Sequence, residues 1–345
     1  MDKETQDIEN ISEELQTMGI NTRDKGMKTK EYERILKKES LYHYCSLESF
    51  ISIVKNSSFR LYDVSKSNDS KEIVWFFEKL TESIQRRMKR DNNKNMIYWG
   101  DNYDNISKAL SLMGDISSSF EQKFYVGCFS EDKDLLSQWT RYADDSTGVA
   151  IGFNTNYLFN FSYEDIDDYT YHEFAIKLIC KFVKVKYTKK AYQDDINWLC
   201  DRLFESIESA IRNNVCNISQ VFETFCSLSV IAYENSIEHK NYSFKPEKEW
   251  RILALRLPFD ICDEYKTPIK NELNINDVFT LSKPHFVSKD NKIVSYSELK
   301  FTYKTFINNI VIGSKSKVTE KDIEDFLISE GYPEIKIDKS HSSYC

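Results

Sequence analysis

The sequence has little of what several common functional sites are built from. Its 345 residues include nine glycines and five prolines. Neither G-x-G-x-x-G nor G-x-x-x-x-G-K-[ST] occurs, which excludes the glycine-rich phosphate loops of Rossmann and P-loop proteins. The eight cysteines are scattered, with no C-x-x-C pair and no histidine at zinc-ligand spacing, so we expect reduced, mostly buried thiols and no metal.

Long apolar runs are also missing. No stretch approaches the roughly 18 apolar residues of a membrane-spanning helix, and the first residues, MDKETQDIEN, lack the apolar stretch of a signal peptide. We therefore expect a cytoplasmic protein with no membrane partner.

Basic charge is in the minority, with 47 Lys and Arg against 55 Asp and Glu for a net charge of −8. This balance argues against a broad nucleic-acid-binding surface. A nucleic acid is therefore expected only as the acceptor of a transferred group. A local cationic pocket for a small anion is still compatible with the composition. With 41% hydrophobic residues, the chain can bury one large core or two moderate ones.

The order of predicted elements is typical of an α+β protein. Residues 1–40 are strongly charged with helical spacing and predict a helical N-terminal appendage. Residues 41–345 predict a single α+β domain whose mixed, mostly antiparallel sheet is interrupted by a large helical insertion at about 188–240. The best strand candidates are LYHY at 41–44, FRLYD at 59–63, FYVGCFS at 124–130, TGVAIGF at 147–153, EWRILAL at 249–255, NNIVI at 308–312 and EIKID at 334–338.

Helix signals lie between these strands. Ser46 is a predicted N-cap, followed by Leu47, Phe50, Ile51 and Val54 as the core face of a short helix. A second helix shows an apolar stripe of Ile73, Phe76, Phe77, Leu80 and Ile84. Thr319 and Asp322 have capping-box spacing.

Three patches place polar or ring-bearing residues at the ends of apolar strands, where a sheet exposes side chains to a cleft. They are His43 with Tyr44, the segment CFSEDKDLLSQWTRYADD, and KPEKEWRI. Each patch has a structural alternative: a hydrogen-bonded core histidine, aromatic rings buried in the core, and a solvated acidic loop at 131–134.

The segment KPEKEWRI is the most informative of the three. If its strand begins near Glu249, alternation puts Glu249, Arg251 and Leu253 on one face. Two opposite charges on a core strand need partners, so the structural alternative is a mutual or nearby salt bridge. The functional interpretation is a glutamate that stabilises positive charge on a substrate while the arginine holds an anion.

The ordered segments resemble a bacterial family catalogued as DUF2971. They are LYHYCSLESFISIVKNSSFRL, SNDSKE, CFSEDKDLLSQWTRYADDSTGVAIGF, YSFKPEKEWRILAL and IVIGS with a closing IDKS, together spanning roughly residues 41–344. That family is in turn similar to the ADP-ribosyltransferases, which share a first-strand histidine, a polar or aromatic residue on a middle strand and a late glutamate. The resemblance implies a sheet core of the ADP-ribosyltransferase type.

The same resemblance implies roles for individual residues. His43 matches the first-strand histidine, and Glu249, with Glu247 as second candidate, matches the late glutamate; these three are the expected catalytic residues. Cleaving the nicotinamide–ribose bond builds positive charge on the sugar, which a carboxylate stabilises. Eight residues are expected to contact NAD through the ribose, nicotinamide or pyrophosphate: Tyr44, Arg60, Tyr62, Ser130, Trp139, Arg141, Tyr142 and Arg251.

Three functions remain open from the sequence. The first is an NAD-dependent ADP-ribosyltransferase or NAD hydrolase, an effector of a bacterial toxin or phage-defence system, with NAD as substrate. The second is a non-catalytic binding or sensor subunit that contacts a protein partner through the N-terminal helices or those at 188–240. The third is a metal nuclease built from Asp132, Asp134, Asp144 or Asp145 with Glu247, although these acids lack a ligand pattern.

Overall fold

The computed structural model describes residues 34–66, 70–93, 123–160, 180–212, 231–256, 272–274, 278–289 and 291–342. The α-helices are α1 (Leu47–Asn56), α2 (Ser70–Asn93), α3 (Leu136–Tyr142), α4 (Thr155–Asn160), α5 (Lys189–Arg212) and α6 (Glu320–Ser329), and residues 231–237 are also helical. Short 3-10 helices occupy Val64–Lys66, Tyr242–Glu247 and Lys304–Phe306. The strands are β1 (Ser40–Cys45), β2 (Ser58–Asp63), β3 (Lys123–Ser130), β4 (Val149–Asn154), β5 (Cys180–Lys184), β6 (Glu249–Arg256), β7 (Glu272–Asn274), β8 (Phe279–Ser282), β9 (His285–Lys289), β10 (Lys292–Phe301), β11 (Ile307–Ile312) and β12 (Lys336–Lys339).

The described strands form one sheet. Its order is β12-β11-β4-β1-β3-β2-β10-β8-β7, with β6 on β3, β5 on β6 and β9 on β10. The pairs are antiparallel except for the parallel pair of β11 and β12. The predicted α+β class with a mixed, mostly antiparallel sheet is confirmed; its likeness to ADP-ribosyltransferases stays a prediction.

The chain divides into two compact units. One unit takes residues 1–37, 71–120 and 186–239, and the other takes 38–70, 121–185 and 240–345. We call them the helical unit and the sheet unit. The predicted insertion at about 188–240 therefore groups with 71–120. Most of the predicted N-terminal appendage, and residues 94–122 and 213–230, lie outside the described residues, and the predicted domain boundaries stay predictions.

The sheet unit buries apolar side chains on both faces of its sheet. On one face Phe59, Phe129 and Phe153 pack ring against ring, with centroids 5.5–5.6 Å apart. On the other face α3 covers β1, β4 and β11 through a buried cluster that consists of Tyr44, Trp139, Ala143, Ala150 and Val311. Burial on both faces explains why strands such as TGVAIGF are continuously apolar.

Gly148 allows the close approach that α3 requires. A Cβ at this position would clash with the backbone carbonyl oxygen of Cys45. The Gly148 amide donates to the carbonyl of Ala143, just beyond α3. The turn after α3 can therefore lie directly against β1 because residue 148 has no side chain.

The helix signals are largely confirmed. The Ser46 hydroxyl accepts from the Ser49 amide as an N-cap, and Thr319 and Asp322 form the predicted capping box. The predicted core face of α1 needs a correction, because Ile51 is 43% exposed while Ile53 is buried. The buried side of α1 is thus Phe50, Ile53 and Val54, shifted from the predicted face.

The helical unit has its own apolar core and its own buried charges. The predicted stripe on α2 is buried throughout. Asp195 on α5 accepts from Lys186 and from the ring of His239, each at 2.8 Å. Lys186 also pairs with Glu238 at 2.9 Å, and these two carboxylates raise the pKa of Lys186 against the opposing effect of burial. Lys186 therefore stays protonated although it is largely buried.

Candidate functional site

The sheet opens at the middle of β3. One edge of β3 pairs with β6 along its whole length. The other edge pairs with β1 at Ser130 and with β2 at Tyr125 and Val126. Two strands thus share this edge and separate between residues 126 and 130. Cys128 lies in this interval and is exposed, although β3 is a central strand, so this face of the sheet is open to solvent.

Strand alternation determines which predicted residues share this open face. In antiparallel pairs, residues opposite each other point to the same side. Ser130 lies opposite Glu249 and Cys128 opposite Arg251, while Tyr62 lies opposite Val126. Six of the predicted site residues on strands therefore point to the same face as Cys128: Tyr44, Arg60, Tyr62, Ser130, Glu249 and Arg251.

His43 points to the opposite face. Tyr42 is paired with Ser130, so its neighbour His43 faces the other way, where its ring lies 6.1 Å from that of Phe129 and 6.3 Å from that of Phe59. The expectation that His43 shares a cleft with Ser130 and Glu249 is therefore wrong. Its Nδ1 instead donates to the carbonyl oxygen of Cys128 at 2.9 Å, in the interval where β1 and β2 separate. Burial lowers the pKa of His43, and the Cys128 carbonyl opposes this shift, so a neutral, structural imidazole is favoured.

Four charged side chains form a buried ion network at the start of β6. Lys240 donates from Nζ to Glu247 Oε2 at 2.9 Å and to Glu249 Oε2 at 2.8 Å. Arg251 donates from Nε to Glu249 Oε1 at 2.7 Å. All four side chains are at most 7% exposed. The salt bridge between Glu249 and Arg251, which the sequence offered as the structural alternative, is present.

The network holds Glu249 in its charged form. Burial on its own would raise the pKa of Glu249, but Arg251 and Lys240 outweigh that effect and lower it from 4.5 to about 2. A carboxylate with a cation on each oxygen is a weak base and has little capacity to bind a substrate. Glu249 is therefore better suited to fixing Lys240 and Arg251 than to direct chemistry.

Glu247 differs from Glu249 in the hydrogen bonding of one carboxylate oxygen. Glu247 Oε2 is bound by Lys240, whereas Oε1 is buried and makes no hydrogen bond with the described residues. Arg141 Nη1 lies 3.6 Å from Oε1, beyond normal hydrogen-bond distance. A buried carboxylate oxygen without a donor is uncommon, which makes Glu247 the candidate for contact with a ligand.

The backbone around Glu247 is fixed from two sides. Ser130 donates from its hydroxyl to the carbonyl oxygen of Glu247 at 2.8 Å and accepts from the amide of Asp132 at 3.1 Å. Lys248 adopts a left-handed conformation with φ +46°, and its side chain pairs with Asp132 at 3.0 Å. The left-handed residue turns the chain between the 3-10 helix and β6, so that Glu247 and Glu249 both reach Lys240.

One exposed ring and one half-exposed cation lie at the end of α3. Tyr142 is 46% exposed. Burial raises the pKa of Tyr142 to about 12, with Lys240 opposing this shift and Cys128, Glu247 and Glu249 adding to it. The guanidinium of Arg141 lies 5.1 Å from the ring of Phe244, and half of its side chain is exposed, so it can rotate away from Glu247.

Tyr44 and Trp139 are not available to a ligand. Trp139 is fully buried and Tyr44 is 4% exposed, and their rings meet edge to face at 4.8 Å. The Tyr44 hydroxyl donates to the Asp132 carbonyl and accepts from the Leu135 amide, while the Trp139 indole donates to Asp134 at 2.6 Å. Both rings are buried in the core, as the structural alternative held. The predicted contact of Tyr44 and Trp139 with a ligand is therefore wrong.

Arg60 and Tyr62 form a separate group on β2. The Arg60 guanidinium lies 4.4 Å from the ring of Tyr296, and the Tyr62 and Tyr296 rings are 5.9 Å apart. Glu298 lies 3.9 Å from Arg60. These contacts connect β2 and β10, and no contact joins this group to the ion network among those seen in the described part of the chain.

Sequence reasoning missed Lys240, Phe244 and Cys128. Lys240 is one of 47 basic residues and belongs to no periodic pattern, although Glu249 and Arg251 on one face of a core strand indicated that charged partners were needed. The thiols were expected to be mostly buried; the separation of β1 from β2, which exposes Cys128, depends on long-range pairing.

The acidic residues considered for a metal site are dispersed. Asp134 binds Trp139 and Ser340, and Asp145 pairs with Lys315. Within the described residues, no group of three or more His, Cys, Asp or Glu side chains could hold a metal ion. The same part of the chain contains no helix that is long and apolar enough to cross a membrane.

Comparison with known proteins identifies one similarity. Residues 138–252 match the family described as "Protein of unknown function (DUF2971)", about a third of the chain. The matched segment contains residues 138–142 of α3 and the entire ion network. No curated protein and no solved structure matches the chain.

Proposed function

We propose that this protein binds NAD at the open face of β3 and transfers its ADP-ribose to an acceptor or to water, with Glu247 as the reacting carboxylate. One observation carries the proposal: the buried Oε1 of Glu247 has no hydrogen-bond donor among the described residues and lies 3.6 Å from the half-exposed guanidinium of Arg141. A ribose hydroxyl is a donor that would satisfy this oxygen.

The reaction needs a negative charge next to the sugar. The C–N bond between ribose and nicotinamide breaks, its electron pair goes to the ring nitrogen, and neutral nicotinamide leaves. Positive charge then develops on the ribose until the nucleophile bonds to the same carbon and releases its proton. A preorganised carboxylate lowers this barrier electrostatically, and the hydrogen bond from Lys240 holds Glu247 in place.

Charge and ring chemistry also suit NAD. Lys240, Arg251 and the half-exposed Arg141 bring cations to Glu247 and Glu249, and guanidinium and ammonium groups bind phosphate oxygens well. The exposed ring of Tyr142 provides a surface on which nicotinamide can stack. In this proposal Glu249 has a supporting role in place of the expected catalytic one, and His43 stabilises the sheet.

A second candidate is a binding module that recognises a nucleotide without cleaving it. The complete pairing of Glu249 with Lys240 and Arg251 favours it, since this glutamate was the expected catalytic group. The two candidates share a ligand and a binding face; they differ in whether the glycosidic bond breaks.

The test is to incubate the purified full-length protein with NAD and to measure free nicotinamide by chromatography, alongside Glu247→Gln and the exposed control Glu324→Gln. We expect release by the wild type and the control, and a loss of about a hundredfold or more in Glu247→Gln. Melting temperatures recorded in parallel show whether the variant is folded, and Glu247→Asp provides a second variant that keeps the charge.

Two other outcomes decide between the candidates. If no nicotinamide is released but ADP-ribose raises the melting temperature of the wild type and not of Glu247→Gln, the binding module is correct. If NAD and ADP-ribose neither react nor raise the melting temperature, both candidates are wrong.

A further inference from the structure

The side chain of Arg141 lies between an aromatic ring and a carboxylate oxygen. Its guanidinium is 5.1 Å from the centre of the Phe244 ring, and its Nη1 is 3.6 Å from Oε1 of Glu247. That oxygen is buried and has no hydrogen-bond donor among the described residues. The guanidinium thus lies beside an acceptor whose hydrogen bonding is incomplete, without completing it.

Neither contact holds the Arg141 guanidinium firmly. Its distance from Oε1 exceeds that of a hydrogen bond, and the Arg141 side chain is 53% exposed, whereas that of Glu247 is 4% exposed. Ion pairs and cation–π contacts of a solvent-exposed cation contribute little to stability. The guanidinium can therefore leave Oε1 with little loss of interaction.

The backbone on both sides of this contact is fixed. Trp139 and Ala143, two residues before and two residues after Arg141, are fully buried. Across the contact, the Ser130 hydroxyl donates to the carbonyl oxygen of Glu247 at 2.8 Å. Movement is thus confined to the side chain of Arg141, as a displaceable group requires.

We propose that Arg141 forms an autoinhibitory contact: its guanidinium covers Oε1 of Glu247, and a ligand that donates a hydrogen bond to this oxygen must displace it. The ring of Phe244 keeps the guanidinium in this position. The identity of the ligand, a ribose hydroxyl of NAD or ADP-ribose, rests on the proposed function, whereas the contact itself does not.

The sign of one binding change separates this role from its alternative. If Arg141 covers Oε1, loss of the guanidinium makes binding tighter, because the ligand no longer competes with a tethered cation. If Arg141 serves only to hold a phosphate, loss of the guanidinium makes binding weaker.

The first experiment measures the dissociation constant of ADP-ribose by calorimetry for the full-length wild type and Arg141→Gln. Lys245→Gln is the matched control, because Lys245 is an exposed cation on the same 3-10 helix as Glu247 and lies 5.2 Å from the ring of Tyr242. We expect Arg141→Gln to bind about fivefold tighter than the wild type, and Lys245→Gln to bind no tighter. Equal or weaker binding by Arg141→Gln overturns the autoinhibitory contact.

A second experiment tests the contact without a nucleotide. Arg141→Ala removes the guanidinium, and ethylguanidinium at millimolar concentration supplies the same planar cation. This cation should raise the melting temperature of Arg141→Ala, and not that of the wild type or of the double variant Arg141→Ala with Glu247→Gln. No rise in Arg141→Ala, or an equal rise in all three proteins, refutes the contact. If the rise is seen but ADP-ribose binds to none of the proteins, the proposed function is wrong and Arg141 still covers Glu247.

Discussion

Replacing Glu249 with glutamine tests whether the ion network stabilises the fold. Glutamine keeps the shape of the side chain but exchanges one acceptor oxygen for an NH₂ donor. That donor must then face either Arg251 at 2.7 Å or Lys240 at 2.8 Å, so one buried cation loses its hydrogen bond to residue 249. Breaking a buried ion pair at one partner costs about 3–5 kcal/mol.

The expected change in melting temperature follows from this cost. For domains of roughly 150–250 residues, 1 kcal/mol corresponds to about 2–4 °C, so a loss of 3 kcal/mol should lower the melting temperature by about 6–12 °C. The assay is thermal unfolding of Glu249→Gln followed by circular dichroism. Glu298→Gln is the control, because Arg60 is exposed, Glu298 is 25% exposed and their ion pair is 3.9 Å long, so the pair should contribute less than about 1 kcal/mol.

Acid provides an independent check on the same residue. The pKa of Glu249 is lowered from 4.5 to about 2, so its stabilising effect is complete above pH 4.5 and is lost as the pH falls toward 2. A fall in the pKa from 4.5 to about 2 corresponds to about 3 kcal/mol of folding free energy. The stability difference between wild type and Glu249→Gln should therefore shrink over this range. A Glu249→Gln variant that melts within about 2 °C of wild type at pH 7 would refute the reasoning.

Three further predictions concern the surroundings of the open face. Ser130→Ala removes a donor to the Glu247 carbonyl and an acceptor for the Asp132 amide; we expect a loss of about 2 kcal/mol by denaturant unfolding, and no loss would show that other groups satisfy both atoms. Gly148→Ala forces a Cβ against the Cys45 carbonyl and should cost about 3 kcal/mol or yield little folded protein; a normal melting temperature would contradict this packing. The pKa of His43 is lowered by burial, so the wild type loses stability as the pH falls through 6.5; its advantage over His43→Gln should be larger at pH 8 than at pH 5.5, and a pH-independent difference in melting temperature would argue against a neutral His43.

The local features of the fold could be predicted from sequence because they depend on neighbouring residues. The Ser46 cap, the Thr319 capping box and the start of β6 at Glu249 each follow from a pattern of a few positions. Alternation along β6 also correctly placed Glu249 and Arg251 on one face. The error at Ile51 has the same local origin, since a one-position rotation of a short helix moves its core face by 100°.

Local patterns could not predict which side chains lie close together in the site. Whether His43 meets Glu249 depends on the register between β1 and β3, where Tyr42 rather than His43 lies opposite Ser130. A shift of one residue reverses the face of every side chain on a strand, and no pattern within LYHY determines that register. Lys240 was missed for a related reason, because its function comes from its position beside β6 and not from its own sequence context.

The position of the buried charges argues that stability is not their whole purpose. Apolar residues of similar volume often stabilise a core as well as a buried ion pair does. Burying Lys240, Glu249 and Arg251 at the start of β6 therefore carries a desolvation penalty that packing alone does not require. Their arrangement leaves one carboxylate oxygen, Glu247 Oε1, buried without a donor. A network that served only packing would be expected to satisfy that atom as well. Lys240 orients Glu247 through Oε2, and a ligand that donates a hydrogen bond to the unsatisfied Oε1 would explain why the network leaves that atom without a donor.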